Sequence, residues 1–141
     1  MPFCKVEKDV RIYYETYGKG TPIVFVHGGG VSHEFWEQQV CHFADTHQTV
    51  AIDLRGHGES DKPPTGHTFD RFTKDLEAVV KHLKLKKFAI VCHAVGGYVG
   101  IKYTLRNPKQ VSHLVLCSSS ARFLGDDPER GGFSTKFLRV M

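Results

Sequence analysis

The chain has 141 residues, of which 40% are hydrophobic and 24% charged, and its net charge is +4. Those values describe one globular domain or part of one, and they exclude a disordered chain, which would be less apolar and more highly charged. No apolar run reaches the roughly 20 residues that span a bilayer, and the first ten residues show no apolar stretch behind a basic start, so neither a membrane partner nor a signal peptide is expected.

In chain order, residues 2–6 (PFCKV) and 11–18 (RIYYETYG) read as strands, and the turn residues GKGTP end the second. PIVFVH (22–27) is a short continuous apolar run, the pattern of a strand buried on both faces. HEFWEQQVCHFA (33–44) spaces Phe35, Trp36, Val40 and Phe43 as a helix does, and TVAIDL (49–54) is a second buried strand. A longer helix follows over 69–83, with Phe69, Phe72, Leu76, Val79, Val80 and Leu83 on one stripe and Thr68 placed to cap its start. KFAIVC (87–92) and VSHLVLC (111–117) are further strands, and the helix between them, 96–107, stops at Pro108. Strands alternating with amphipathic helices predict an α/β fold, a mostly parallel sheet with helices on both faces.

Ligands of such sheets bind beyond the carboxyl ends of the strands. Three of those ends are Gly-rich: HGGG (27–30), DLRGHGESDKP (53–63) and CHAVGG (92–97). The third has the layout of a nucleophile elbow, G-x-S-x-G on a sharp strand-to-helix turn. Its five positions read Cys92, His93, Ala94, Val95 and Gly96, so alanine stands where the motif carries serine.

With these three motifs in order, and with Trp36, ESDKP and LVLCSSSAR around them, the chain resembles the N-terminal half of an α/β-hydrolase over residues 3 to 122. Within that family it is most similar to the cofactor-free esterases, enol-lactonases and so-called haloperoxidases. The resemblance implies acyl transfer on an ester, lactone or similar small acyl substrate, with no cofactor. A serine attacks the carbonyl, a histidine takes its proton, and an acid orients the histidine. Two backbone N–H groups hold the oxyanion. By resemblance these are Gly29, with Gly28 as the other choice, and Val95, and Ala94 occupies the nucleophile's position. His27, His93 and Trp36 are candidates for the substrate pocket; Trp36 and Phe35 are both expected to serve the core, with one of the two facing the pocket.

The resemblance also implies that the acid and the histidine come after further strands. The α/β-hydrolase core is therefore expected over 1–122 without its last strands, and 123–141 reads as the start of a cap or lid. Asp126 and Asp127 read as turn carboxylates rather than as the acid. Left alone, the strand at 111–117 would be an apolar edge, so a second polypeptide carrying the C-terminal half of the fold is the expected partner.

Other chemistries are weaker. The histidines offer no H-E-x-x-H pair and the four scattered cysteines no C-x-x-C, so no metal site is expected, and unpaired thiols fit a reducing, cytoplasmic setting. HGGG lacks the lysine and spacing of a P-loop. The basic run KHLKLKK (81–87) suits a helix C-terminus, where the dipole favours cations, and carries no nucleic-acid motif. His27 and His57 are expected to hold loops, His33, His42 and His47 to sit at the surface or cap, and Asp53 and Arg55 to pair with loop backbone. Cys92 is expected to pack inside the turn rather than to replace the nucleophile. The favoured reading is a serine hydrolase whose nucleophile has been exchanged for alanine. The alternative is a naturally non-catalytic ligand-binding protein of the same fold, and a different chemistry on the same scaffold is the third.

Overall fold

The computed structural model describes residues 2–119. The cap segment expected from 123 onward, with Asp126 and Asp127, lies outside the described residues.

Among the described residues six strands form one sheet: β1 (Phe3–Glu7), β2 (Val10–Tyr17), β3 (Pro22–Val26), β4 (Gln48–Ile52), β5 (Phe88–His93) and β6 (Val111–Cys117). Their order across the sheet is β1-β2-β4-β3-β5-β6. The pairs β1–β2 and β2–β4 are antiparallel, and β4, β3, β5 and β6 run parallel. Three helices cover it: α1 (Glu37–Phe43), α2 (Phe69–His82) and α3 (Val95–Arg106).

Period-two alternation sorts the β3 side chains between two cores. Val24 and Val26 face the larger one, where Ile12, Val50 and Ile52 meet Phe72, Leu76 and Val79 of α2 and Val99 and Tyr103 of α3. Ile23 and Phe25 face the smaller one, with Trp36, Val40 and Ala51 under α1. Helix α2 begins where the sequence places it, because the Thr68 hydroxyl accepts from the Arg71 N–H at 3.2 Å. Lys81 and His82 stand in its last turn, where they suit the dipole.

One element differs from expectation. The single helix read over 33–44 is a 3-10 turn, His33–Trp36, followed by α1. Ser32 caps the turn, its hydroxyl accepting from the Glu34 N–H at 3.4 Å, and Trp36 then leaves α geometry at φ −99°, ψ 8°. The strand β6 is apolar yet half exposed, because among the described residues it pairs with β5 alone; Val115 and Leu116 are 44% and 39% exposed.

Candidate functional site

The order β4-β3-β5 sets three parallel strands side by side, so the loops after them meet at one edge of the sheet. At the tip of the turn after β5 stands Ala94, with φ 48° and ψ −117°. Side chains rarely adopt that backbone, which costs a non-glycine residue about 1–3 kcal/mol. Its surroundings impose it. The Ala94 N–H donates to the Cys117 carbonyl at 3.0 Å, and the Ala94 carbonyl accepts from the Gly97 N–H at 3.0 Å and from the Ser119 hydroxyl at 2.6 Å.

The turn is possible only because Gly96 has no side chain. A Cβ there would lie within 2.6 Å of the carbonyl oxygens of Val26 and His27. The loop after β3 comes equally close on the other side: a Cβ on Gly28 would stand 3.2 Å from the Ala94 Cβ and 2.8 Å from His93 Nδ1. Gly28 and Ala94 are thus brought together, with Val95 next to Ala94 in the chain. Because α3 starts at Val95, the Val95 and Gly96 N–H groups have no acceptor inside the helix, and such a helix start favours negative charge.

His27 fixes the near end of the glycine loop. It is fully buried, and its Nε2 accepts from the Leu54 N–H at 3.0 Å, so Nδ1 carries the proton and donates to the Gly28 carbonyl at 2.5 Å. Burial lowers its pKa to about 4, against an ordinary value of 6.5, and the ring is neutral. His27 therefore holds a loop, and its neighbour His57 does likewise through the Arg55 carbonyl at 3.1 Å.

Asp53, fully buried at the end of β4, ties the loops together. It accepts from the His33 N–H at 2.6 Å, the His33 ring at 3.0 Å and the Glu59 N–H at 2.8 Å. Arg55 departs from the expected backbone pairing. It makes a two-pronged bond at 2.7 Å to the carboxylate of Asp75 on α2, with Glu7 at 3.2 Å. Burial of Asp75 raises its pKa against the opposing pull of the Arg55 guanidinium.

Of the aromatic pair, Trp36 is the core residue, 4% exposed, whereas Phe35 is 44% exposed. Phe35 stacks on His93 with ring centroids 4.4 Å apart and 23° between planes. His93 Nδ1 is buried without a hydrogen-bond partner among the described residues. Cys92 is fully buried, and burial pushes its thiol pKa far up, so no thiolate forms there. Sequence reading passed over Ser119, although it lies just beyond the carboxyl end of β6. It also passed over Glu15, which stands on one face of β2 with Tyr13 and Tyr17.

A family model described as the alpha/beta hydrolase fold matches residues 21–136. The AB hydrolase superfamily protein YisY of Bacillus subtilis (strain 168) is 32% identical over 121 residues, covering 84% of this chain and 45% of its own length. The non-heme chloroperoxidase CPO-A1 of Kitasatospora aureofaciens is 36% identical over 106 residues, 71% of this chain and 38% of that protein. Among solved structures, Est816, described as an N-acyl homoserine lactone degrading enzyme, superposes with a TM-score of 0.80 at 36% identity, over 84% of this chain and 45% of its own. The esterase EaEST from Exiguobacterium antarcticum gives a TM-score of 0.83 at 27% identity, over 92% of this chain and 49% of its own. The chain spans less than half the length of each.

Proposed function

The chain belongs to the α/β-hydrolase fold family, and on that premise we propose that its site is built for acyl transfer on an ester, lactone or similar small acyl substrate, with Ala94 at the nucleophile's position. The observation that carries the reading is the strained backbone of Ala94, held at the tip of the turn so close to the glycine loop that a Cβ on Gly28 would stand 3.2 Å from its methyl. A hydroxyl on that methyl would meet a carbonyl whose oxygen lies between the Gly29 and Val95 N–H groups. Relatives named as a lactone-degrading enzyme and an esterase support the substrate class.

With alanine at 94 the covalent step is lost, while backbone donors remain to bind and polarise a carbonyl. On this reading the chain is an inactive Ser-to-Ala variant that works with a second polypeptide carrying the acid, the histidine and the remaining strands. The four free cysteines fit a cytoplasmic setting.

The test is Ala94→Ser in the presence of the rest of the fold. A fluorophosphonate should label position 94, and short esters and lactones should be hydrolysed. No labelling with the fold intact overturns the reading. Cys92 in place of the motif's first glycine favours a second reading, a naturally non-catalytic binding protein. Its signature is saturable binding of a small acyl ligand that Ala94→Ser leaves unchanged, without turnover.

A further inference from the structure

The span from Gly28 to Ser32 contains three consecutive glycines, so its own backbone does little to fix where Gly29 stands. Its position has to be set from the two ends. His27 holds one end. The other is His33, and His33 is held by a cluster that the acyl-transfer chemistry does not use.

The His33 ring lies between two carboxylates. Nδ1 faces Asp53 at 3.0 Å, and Nε2 faces Glu15 Oε1 at 3.4 Å. Glu15 is a firm anchor for three reasons. It sits in the β2–β4 ladder opposite Ala51. Both of its oxygens are engaged, Oε1 by the Tyr13 hydroxyl at 2.8 Å and Oε2 by the Tyr17 hydroxyl at 3.3 Å. The Tyr13 phenol is pushed up to about 12 by its bond to Glu15, which keeps it a donor. The Tyr13 ring also lies 5.1 Å from the His33 ring. A ring bonded through one nitrogen alone could swing about that bond; contacts on both sides prevent this. His33 also donates its own N–H to Asp53, so fixing the ring fixes the backbone at the end of the glycine span.

We infer that Glu15, through His33, is a positioning residue for the Gly28–Gly30 loop, setting the place of the Gly29 N–H from the far side of the sheet edge. Its meaning for catalysis rests on the acyl-transfer reading; the mechanical link does not.

The experiment is backbone 15N relaxation on the labelled chain in the presence of the rest of the fold, with and without Glu15→Gln. Gln keeps the shape and removes the charge at a side chain that is 28% exposed. The Gly29 order parameter should fall from a rigid value of about 0.85 to below about 0.6, with Val95 unchanged. Tyr17→Phe, which removes one donor from Glu15 at a half-exposed tyrosine, should lower it in the same direction by less. An unchanged Gly29 in both variants overturns the inference, as does an equal loosening of Gly29, Val95 and the core amides. A parallel titration of the unsubstituted chain with n-butyrate reads the acyl site separately. Absence of butyrate shifts at Gly29 and Val95 counts against the acyl-transfer reading while leaving the relaxation result to decide the role of Glu15.

Discussion

A methyl group at position 94 stands on backbone that glycine would occupy freely. Ala94→Gly releases strain of about 1–3 kcal/mol and costs about 1 kcal/mol in unfolded-state entropy. The expected net effect is stabilisation by about 1 kcal/mol in urea unfolding; a loss of more than about 0.5 kcal/mol would show that the turn is not strained. Gly96→Ala should act in the opposite direction. Its Cβ meets two backbone carbonyls that have no side-chain torsion to yield, so a loss above about 2 kcal/mol is expected. His27 yields a pH dependence. Its folded pKa, about 4, lies below the ordinary 6.5, so the unfolded chain takes up the proton first as pH falls. The stability it contributes is full above pH 6.5 and is lost between 6.5 and about 4, amounting to roughly 3 kcal/mol. His27→Asn, which retains a donor and an acceptor, should flatten that part of the stability–pH curve. An unchanged slope in the variant would assign it to other groups.

Among the elements, α2 was the most legible, because its apolar stripe and its Thr68 cap are both local signals. The same spacing places Asp75, three residues after Phe72 and four before Val79, on the buried face. A carboxylate there calls for a buried cation, and Arg55 supplies it with two bonds of 2.7 Å. Removing the charge with Asp75→Asn leaves the buried guanidinium with Glu7 as its one carboxylate partner, and should cost about 3 kcal/mol. The exposed pairing of Asp70 with Lys102 and Arg106, at 3.0 and 2.7 Å, joins α2 to α3 with similar geometry. Solvent screens it, and Asp70→Asn should change stability by less than about 1 kcal/mol. Equal losses in the two variants, measured by thermal unfolding, would contradict the difference in burial. What was not legible over 33–44 was the break in the helix. It comes from Asp53, twenty residues away, holding His33, and no periodicity within the segment reports a long-range bond. The elbow was legible for the opposite reason: its glycines and their neighbours are contiguous in sequence.

Across the whole molecule, burial is uneven. The strands β3 and β4 lie inside the sheet and their apolar runs are covered, whereas β6 has an apolar run too and, among the described residues, one neighbour. Read as a sequence, the two kinds of strand are indistinguishable, since the pattern records what a strand is built to bury and not whether its partner is present. β6 has no lysine or proline against intermolecular pairing, its one register irregularity lies at its start, where Ser112 falls between the partners of Phe88 and Ala89, and its only ionisable side chain apart from the cysteine thiol is His113. A net charge of +4 over 141 residues is a weak barrier to association. As an isolated polypeptide the chain is therefore expected to self-associate with rising concentration. Val115→Lys, placing a charge at a side chain 44% exposed on that strand, should reduce the association. Adding a polypeptide with the remaining strands of the fold should reduce it further, because a paired edge offers no template. Light scattering over a concentration series distinguishes the cases. A monodisperse, cooperatively unfolding monomer that ignores both the lysine and the added strands would mean that β6 is already protected, and that no second polypeptide is needed to complete the sheet.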